Sequence, residues 1–320
     1  MKFITSLAAA LMAVAVSPQS SAQTYPDKPV RIIVAYAAGQ GTDIVTRFMA
    51  EHLSKELGQP FIIENRAGGG GNIGTESAKQ AAPDGYTLTM GTNATHVLNQ
   101  YMYSNLSFDP VAHFDPIALV GSFPMVLAVN AKAPFNNVND VLAQVKANPR
   151  GADIAMPSTT ARLVVELLID RTKASLYGVP YKGSGNAMAD VLGGQLPVMV
   201  DTPTALRSQL AAGSVRAIGV TSKTPSSLVP GVTPVAEQGV ADFEVAAWNA
   251  LYAPKGTPQA VIDALNRAVN GILQKPEVRQ KLLELGFEPR GGSARDLADF
   301  AKAERQKWEP IIRAANIRFN

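Results

Sequence analysis

The chain has no cysteine, and that absence excludes more than any single motif establishes. Disulfides, thiolate metal sites, cysteine nucleophiles and a lipid-anchored cysteine are all ruled out. Histidine is scarce as well, with three residues, His52, His96 and His113, that do not cluster in sequence. There is no H-E-x-x-H pair, and Asp and Glu show no metal-ligand spacing, so no metal site is expected. A G-x-S-x-G elbow is also missing; Ser184, between Gly183 and Gly185, sits in a loop that opens a helix. Nothing assembles a nucleophile, a base and an oxyanion hole. The sequence therefore points to no catalytic residues and no cofactor. Charge of one sign is lacking too: no Lys/Arg run occurs, which leaves no footprint for nucleic acid or an anionic membrane.

One apolar run begins the chain. Lys2 forms a charged n-region, Leu7–Val16 an apolar stretch too short to span a bilayer, and Ser20-Ser21-Ala22 a small-residue cleavage site. The order predicts export, with cleavage after Ala22, a periplasmic product and no stable membrane anchor; a buried N-terminal helix is the plainer alternative. Cleavage deletes only Lys2 among charged residues, leaving 28 basic against 26 acidic, or +2 over 298 residues. At about 100–200 residues per domain, that length suggests two domains.

What is present begins with two strand–glycine loop–helix units in succession. Val30–Val34 feeds Ala35–Gly41 and a helix opening at Thr42–Asp43; Phe61–Ile63 feeds Gly68–Gly71 and a helix opening over Asn72–Thr75. Glycines let backbone N–H groups approach a ligand, and a helix N-terminus adds unpaired donors and partial positive charge. Such loops suit a small anion, above all a carboxylate. The stretch Gly69–Gly74 formally matches G-x-G-x-x-G, but a dinucleotide site also wants an acid about 20 positions on, and Thr87–Asn93 has none. The plain reading is a glycine turn that packs helix against strand.

Strand-like runs alternate with helical patterns along most of the chain, the signature of an α/β fold with largely parallel strands. Tyr86–Met90 reads as a strand ending in a polar loop, Gly91–His96; Ile117–Val120 and Met125–Val129 read as strands with Gly121–Pro124 as a loop between them. Asn137 caps a helix over 138–147. Ile154–Met156 is a strand before the capping hydroxyls Ser158, Thr159 and Thr160, and an apolar helix follows. Pro197–Val200 ends at Asp201, where Thr202-Pro203 opens another helix. Thr257-Pro258 reads as a cap with a first-turn proline, and Ser293 with Asp296 as a capping box. Ligands of open α/β sheets sit beyond the carboxyl ends of the strands, so these polar loops are expected at one cleft. That places Thr92, Asn93 and His96 there, with His96 either touching ligand or supporting a residue that does. Asp43 reads as a helix cap. Asp201 is open between capping and accepting from a ligand amine, hydroxyl or water, and Trp248 reads as core.

The motifs Tyr25–Arg31, Gly39-Gln40-Gly41-Thr42-Asp43 with Arg47, Glu64–Gly68 through Asn72-Ile73-Gly74, Pro83–Tyr86, Tyr181–Ser184, Gly193–Gln195 and Ala253–Pro258 together resemble one family. It is the periplasmic substrate-binding proteins of tripartite tricarboxylate transporters, often called the Bug family. The resemblance covers essentially the whole mature chain. It implies a two-lobed periplasmic-binding-protein fold, each lobe a mixed, mainly parallel sheet flanked by helices, with hinge closure on the ligand. It implies delivery of a small carboxylate, aliphatic or aromatic, to integral-membrane permease subunits. By the same resemblance a loop from each lobe holds the carboxylate, partly through ordered water: Tyr36, Gly39, Gly41, Thr42, Asp43 and Asn72 on one side, Ser158, Thr159, Thr160 and Asp201 on the other. The loop Met156–Arg162 departs from the family pattern in lacking glycines and gaining hydroxyls and Arg162. That arginine either pairs with Glu166 or meets a second carboxylate of a dicarboxylic ligand.

The expected organisation is a signal over 1–22, a first lobe over 23–125 with 247–320, and a second lobe over 126–246. A monomeric solute-binding protein is expected. A secreted enzyme acting on a small carboxylic acid and a ligand-sensing module for a receptor kinase are the rivals; turnover would mark the first, a partner other than a permease the second.

Overall fold

The computed structural model describes residues 25–319. The expected signal segment and its cleavage point lie outside the described residues.

The β-branched run Val30–Val34 is strand β1, buried at all but Arg31. Helix α1 (Gly41–Leu57) carries the chain to β2 (Phe61–Asn65), and α2 (Asn72–Lys79) carries it to β3 (Thr87–Thr92). Because each connection is a crossover helix, β2 and β3 both pair parallel to β1. A wide π-helical turn over Ala94–Leu98 runs into α3 (Asn99–Met102) and then β4 (Phe114–Pro124). The second block follows as β5 (Val126–Asn130), α4 (Val138–Ala147), β6 (Ile154–Met156), α5 (Thr159–Thr172), β7 (Gly178–Pro180), α6 (Ser184–Leu192), β8 (Val198–Asp201), α7 (Pro203–Ala211) and β9 (Val215–Val220). The chain then returns through β10 (Ala246–Pro254), α8 (Gln259–Gln274), α9 (Pro276–Glu284), β11 (Glu288–Pro289) and α10 (Ala294–Ala314).

Two mixed sheets flanked by helices result, one ordered β11-β4-β10-β3-β1-β2 and the other β7-β6-β8-β5-β9. Parallel pairing is confined to β2-β1-β3 and β7-β6-β8; β4, β10 and β11, like β5 and β9, pair antiparallel. "Mainly parallel" therefore needs correction. The reason is the passage between sheets: β4 runs on into β5, and β10 brings the chain back between β3 and β4 in the opposite sense.

Both passages meet at buried Thr221. Its amide donates to the Met125 carbonyl at 2.9 Å, and its Oγ1 accepts from the Met125 amide at 2.8 Å. Its hydroxyl donates to the Val245 carbonyl, while the Val245 amide donates back to the Thr221 carbonyl at 3.0 Å. One side chain thus ties the outgoing strand to the returning one.

Several local expectations hold at the level of single atoms. Asn137, Ser158 and Thr202 each accept from the third amide of the helix that follows, and Ser293 with Asp296 forms a full capping box. Others fail. Gly121–Pro124 is not a loop; it pairs with Ala246–Asn249 as the end of β4. Gly91 and Thr92 finish β3, and the next residues wind into the π-helical turn. Thr257 does not cap α8, because its hydroxyl turns back to the Pro254 carbonyl.

Candidate functional site

The carboxyl ends of β1, β2 and β3 face those of β6, β7 and β8, and the turns after them enclose two cavities. The outer holds about 200 Å³ and the inner about 30 Å³. Tyr36, Gln40 and Ser158 line both, so the two adjoin. The outer is smaller than the ~300–1,000 Å³ of drug-sized sites, and the inner suits a group of about the size of one water.

Gly68–Gly71 forms one wall of the outer cavity, with φ angles between 57° and 134°. A side chain at Gly70 would overlap Tyr103 Oη and Thr159 Oγ1, so glycine is needed both for its backbone and for its lack of bulk. The opposite wall is the start of α5, where Ser158 caps the helix and Thr159 and Thr160 open it. Arg162, in the first turn, lies over the Phe319 ring at 3.5 Å and lines the cavity. It forms no ion pair with Glu166, which corrects the plainer reading of that residue. Tyr181 and Lys182 complete the rim.

The inner cavity is walled by Gly41, Thr42, Thr92, Asn93, Thr160, Asp201 and Trp248, among others. Most of its polar groups are already paired. Tyr36 Oη bonds Thr92 Oγ1 at 2.7 Å, and Thr42 Oγ1 accepts from Asn249 Nδ2 at 3.0 Å. Asp201 differs. Its Oδ1 accepts from the Thr202 amide at 2.7 Å and its Oδ2 is buried with no partner at hydrogen-bond distance; burial pushes its pKa up to about 6 against the lowering effect of the nearby Ser184 hydroxyl and the Thr202 amide. Trp248 is core, as expected, with Nε1 donating to Glu304 Oε2 at 3.3 Å, and it also lines the cavity.

Three hydrogen bonds cross the cleft. Gln40 Nε2 donates to the Pro157 carbonyl at 3.1 Å, Thr159 Oγ1 to the Gly70 carbonyl at 3.3 Å, and Thr160 Oγ1 to Asn93 Oδ1 at 3.2 Å. A β-carbon on Gly41 would overlap Thr202 Oγ1. The two sides are closed on each other.

Ten of the residues singled out in the sequence line these cavities: Tyr36, Gly41, Thr42, Thr92, Asn93, Ser158, Thr159, Thr160, Arg162 and Asp201. Gly39, Asp43, Asn72 and His96 do not. Asp43 accepts from the Gly39 amide at 2.9 Å, Arg47 Nε at 3.0 Å and Asn65 Nδ2 at 2.8 Å. Burial alone would raise its pKa, but Arg47, Gly39 and Asn65 hold it below the usual carboxylate range. It closes the loop ahead of α1 rather than capping the helix, since the N-cap position belongs to Gln40. Asn72 Oδ1 accepts from Asn99 Nδ2 at 2.5 Å. His96 stacks on Tyr252 at 4.0 Å and bonds Thr95 Oγ1 at 2.9 Å, and burial lowers its pKa to about 3. These four build the walls from behind. Gln40, Tyr103, Tyr181 and Lys182 are lining residues that the reading of single motifs passed over. Gln40, Tyr181 and Lys182 stood inside recognised motifs, whereas Tyr103 carried no local signal.

A profile of the tripartite tricarboxylate transporter family receptor matches residues 45–317. The chain belongs to that family. BugT of Bordetella pertussis is 33% identical over 92% of this chain and 91% of its own length. Among solved structures, adipate-bound Rpa4515 of R. palustris superposes with a TM-score of 0.89 at 32% identity, covering 92% of this chain and all of that one. MatC (Rpa3494) from Rhodopseudomonas palustris, with bound malate, superposes at 0.84 with 30% identity over 90% of this chain and all of its own. The transporter receptor is thus a solute-binding protein, and its two-sheet fold is that of periplasmic binding proteins. Among the described residues no helix is long and apolar enough to cross a membrane, and no His/Cys/Asp/Glu cluster could hold a metal ion.

Proposed function

We propose that this receptor captures a small carboxylate in the periplasm, as a monomer freed by cleavage after Ala22, and passes it to integral-membrane permease subunits. Its lobes are 23–125 with 247–320, and 126–246, a division supported by the two sheets and their meeting at Thr221. The observation that carries the reading is the charge of the outer cavity: its lining includes Arg162 and Lys182 and no Asp or Glu. The Gly68–Gly70 amides and the start of α5 add donors of the kind that hold anions. Adipate in Rpa4515 and malate in MatC are carboxylates, which supports the same class here. The carboxylate belongs in the outer cavity, because the inner one already holds the acid Asp201.

A thermal-shift screen of aliphatic and aromatic carboxylic acids tests this. A ligand at about 100 times its dissociation constant stabilises by roughly 2.7 kcal/mol. Arg162→Ala and Lys182→Ala should each weaken an acid found in the screen, Arg162→Ala about tenfold or more, the usual loss for a hydrogen bond to a charged group. No response to any acid, or full affinity in both variants, would remove the carboxylate reading.

A further inference from the structure

The two cavities have opposite electrical character. The outer is lined by Arg162 and Lys182 without an acid, whereas the inner is lined by Asp201 without any Lys, Arg or His. Asp201 is 3% exposed, and Oδ2 has no partner at hydrogen-bond distance; the buried Ser184 hydroxyl, also unpaired, stands beside the carboxyl and offsets part of the rise in its pKa. A buried carboxylate oxygen left unpaired is costly, and it accepts strongly from any donor that reaches it. The inner space of about 30 Å³ admits a group the size of a water, a hydroxyl or an ammonium. It is a poor place for a second carboxylate, which would lie against Asp201.

We infer that the ligand carries, at the end away from its carboxylate, a hydrogen-bond donor that pairs with the Asp201 carboxylate at the inner cavity. The ligand class is then an ω-hydroxy or ω-amino acid rather than a plain dicarboxylate, with the hydroxyl and the ammonium sharing one recognition chemistry. This rests on the carboxylate end lying in the outer cavity, as proposed above. A water-sized group at Asp201 also explains why so many neighbouring acceptors and donors, Thr92 and Thr42 among them, are already tied to protein and offer the ligand little. Asp201 is the group left to choose.

Calorimetry at about pH 8 with two matched sets tests the assignment: butanoate, succinate, 4-hydroxybutanoate and 4-aminobutanoate, then hexanoate, adipate, 6-hydroxyhexanoate and 6-aminohexanoate. In wild-type protein the hydroxy or amino acid of at least one set should bind about tenfold or more tightly than the monocarboxylate of equal length. Asp201→Asn should erase that advantage, so that the donor-bearing acid and the monocarboxylate bind within about threefold of each other. Asp201→Ser, with circular dichroism to show that it folds, is the second variant and should behave alike. An amino acid favoured over its hydroxy counterpart identifies an ammonium partner; the reverse identifies a hydroxyl; either supports the inference. It falls if monocarboxylates or dicarboxylates bind and the donor adds nothing, or if the advantage survives both substitutions, and the carboxylate reading then stands. If none of the eight acids nor any acid of the wider screen binds, the carboxylate reading falls first and takes this one with it.

Discussion

Asp201 also makes a prediction about stability. Burial raises its pKa from 3.8 to about 6, so the folded state holds this proton more tightly than the unfolded chain does. The stabilisation is complete below the unfolded value and is lost as pH rises through about 6, a change of about 3 kcal/mol. Asp201→Asn carries no charge at any pH. It should melt well above wild type at about pH 8 and level with it near pH 4, as thermal melts across that range would show; an equal gap at both ends would dismiss the burial argument. His96 acts in the other direction. Its pKa is lowered to about 3, so its contribution is present above 6.5 and fades as pH falls towards 3. Trp248 gives a second test at this scale. Trp248 lines the inner cavity, whereas Trp308, whose Nε1 shares Glu304 Oε2 with Trp248 Nε1, does not, so ligand entry should change the tryptophan emission through Trp248. The change should vanish in Trp248→Phe. Residue identities were only partly legible in the sequence. Asp43 and Asp201 look alike there, each acidic at a strand-to-helix junction, but Arg47, Asn65 and Gly39 satisfy the one while only the Thr202 amide stands at hydrogen-bond distance from the other. That difference lives in three-dimensional neighbours, which local spacing does not encode.

At the scale of elements, the helix starts do most of the positioning. Asn137, Ser158, Thr202 and Ser293 were readable because a cap is a local bond, made within three residues of its own helix. Strand ends were harder. Gly121–Pro124 carries turn-forming residues, but pairing with β10 overrides that preference. The start of α1 shows how close two elements come on closure. Gly41 packs on Thr202 at the start of α7, and any β-carbon there would overlap the threonine hydroxyl. Its backbone is not in the left-handed region, so Gly41→Ala adds bulk without strain. Overpacking of this kind costs about 1–3 kcal/mol. Because the clash exists only when the sides meet, Gly41→Ala should weaken ligand binding about tenfold while hardly changing the melting temperature of the empty protein. A large loss of stability without ligand would show instead that Gly41 serves the fold.

The whole molecule was legible in outline, since alternating strands and helices, and the family motifs, point to two lobes. How the sheets join was not, because β10 pairs with strands far away in sequence. The three cross-cleft hydrogen bonds, each of modest net worth, about 1 kcal/mol, hold the closed arrangement together with Arg162 over the Phe319 ring and the Lys307–Glu244 ion pair. Without ligand such a balance tips easily towards opening, and hinge closure is the expected response. Small-angle scattering should therefore show a smaller radius of gyration once a binding acid is added. An unchanged radius in a protein that is open when empty would count against closure. Thr221 is where that motion and the joint of the two sheets meet. Thr221→Val keeps the shape but leaves the Met125 amide and the Val245 carbonyl each short of a buried partner, at about 1–3 kcal/mol apiece. The melting temperature should drop by several degrees; a silent substitution would show that the joint is held elsewhere.

The bonds at Thr221 carry one more consequence. Met125 and Val245 leave that threonine as neighbours, so everything between them is a detour with adjacent ends. Such a detour can be exchanged as a cassette. Residues 126–244 replaced by the matching stretch of a relative would keep the six-stranded half and its glycine wall untouched, while importing a new Arg162 position, a new Asp201 position and a new opening to α5. Selectivity could then be shuffled by recombination at two sites in the gene that are far apart in sequence yet meet at one hydroxyl, with the rest of the receptor left as it is.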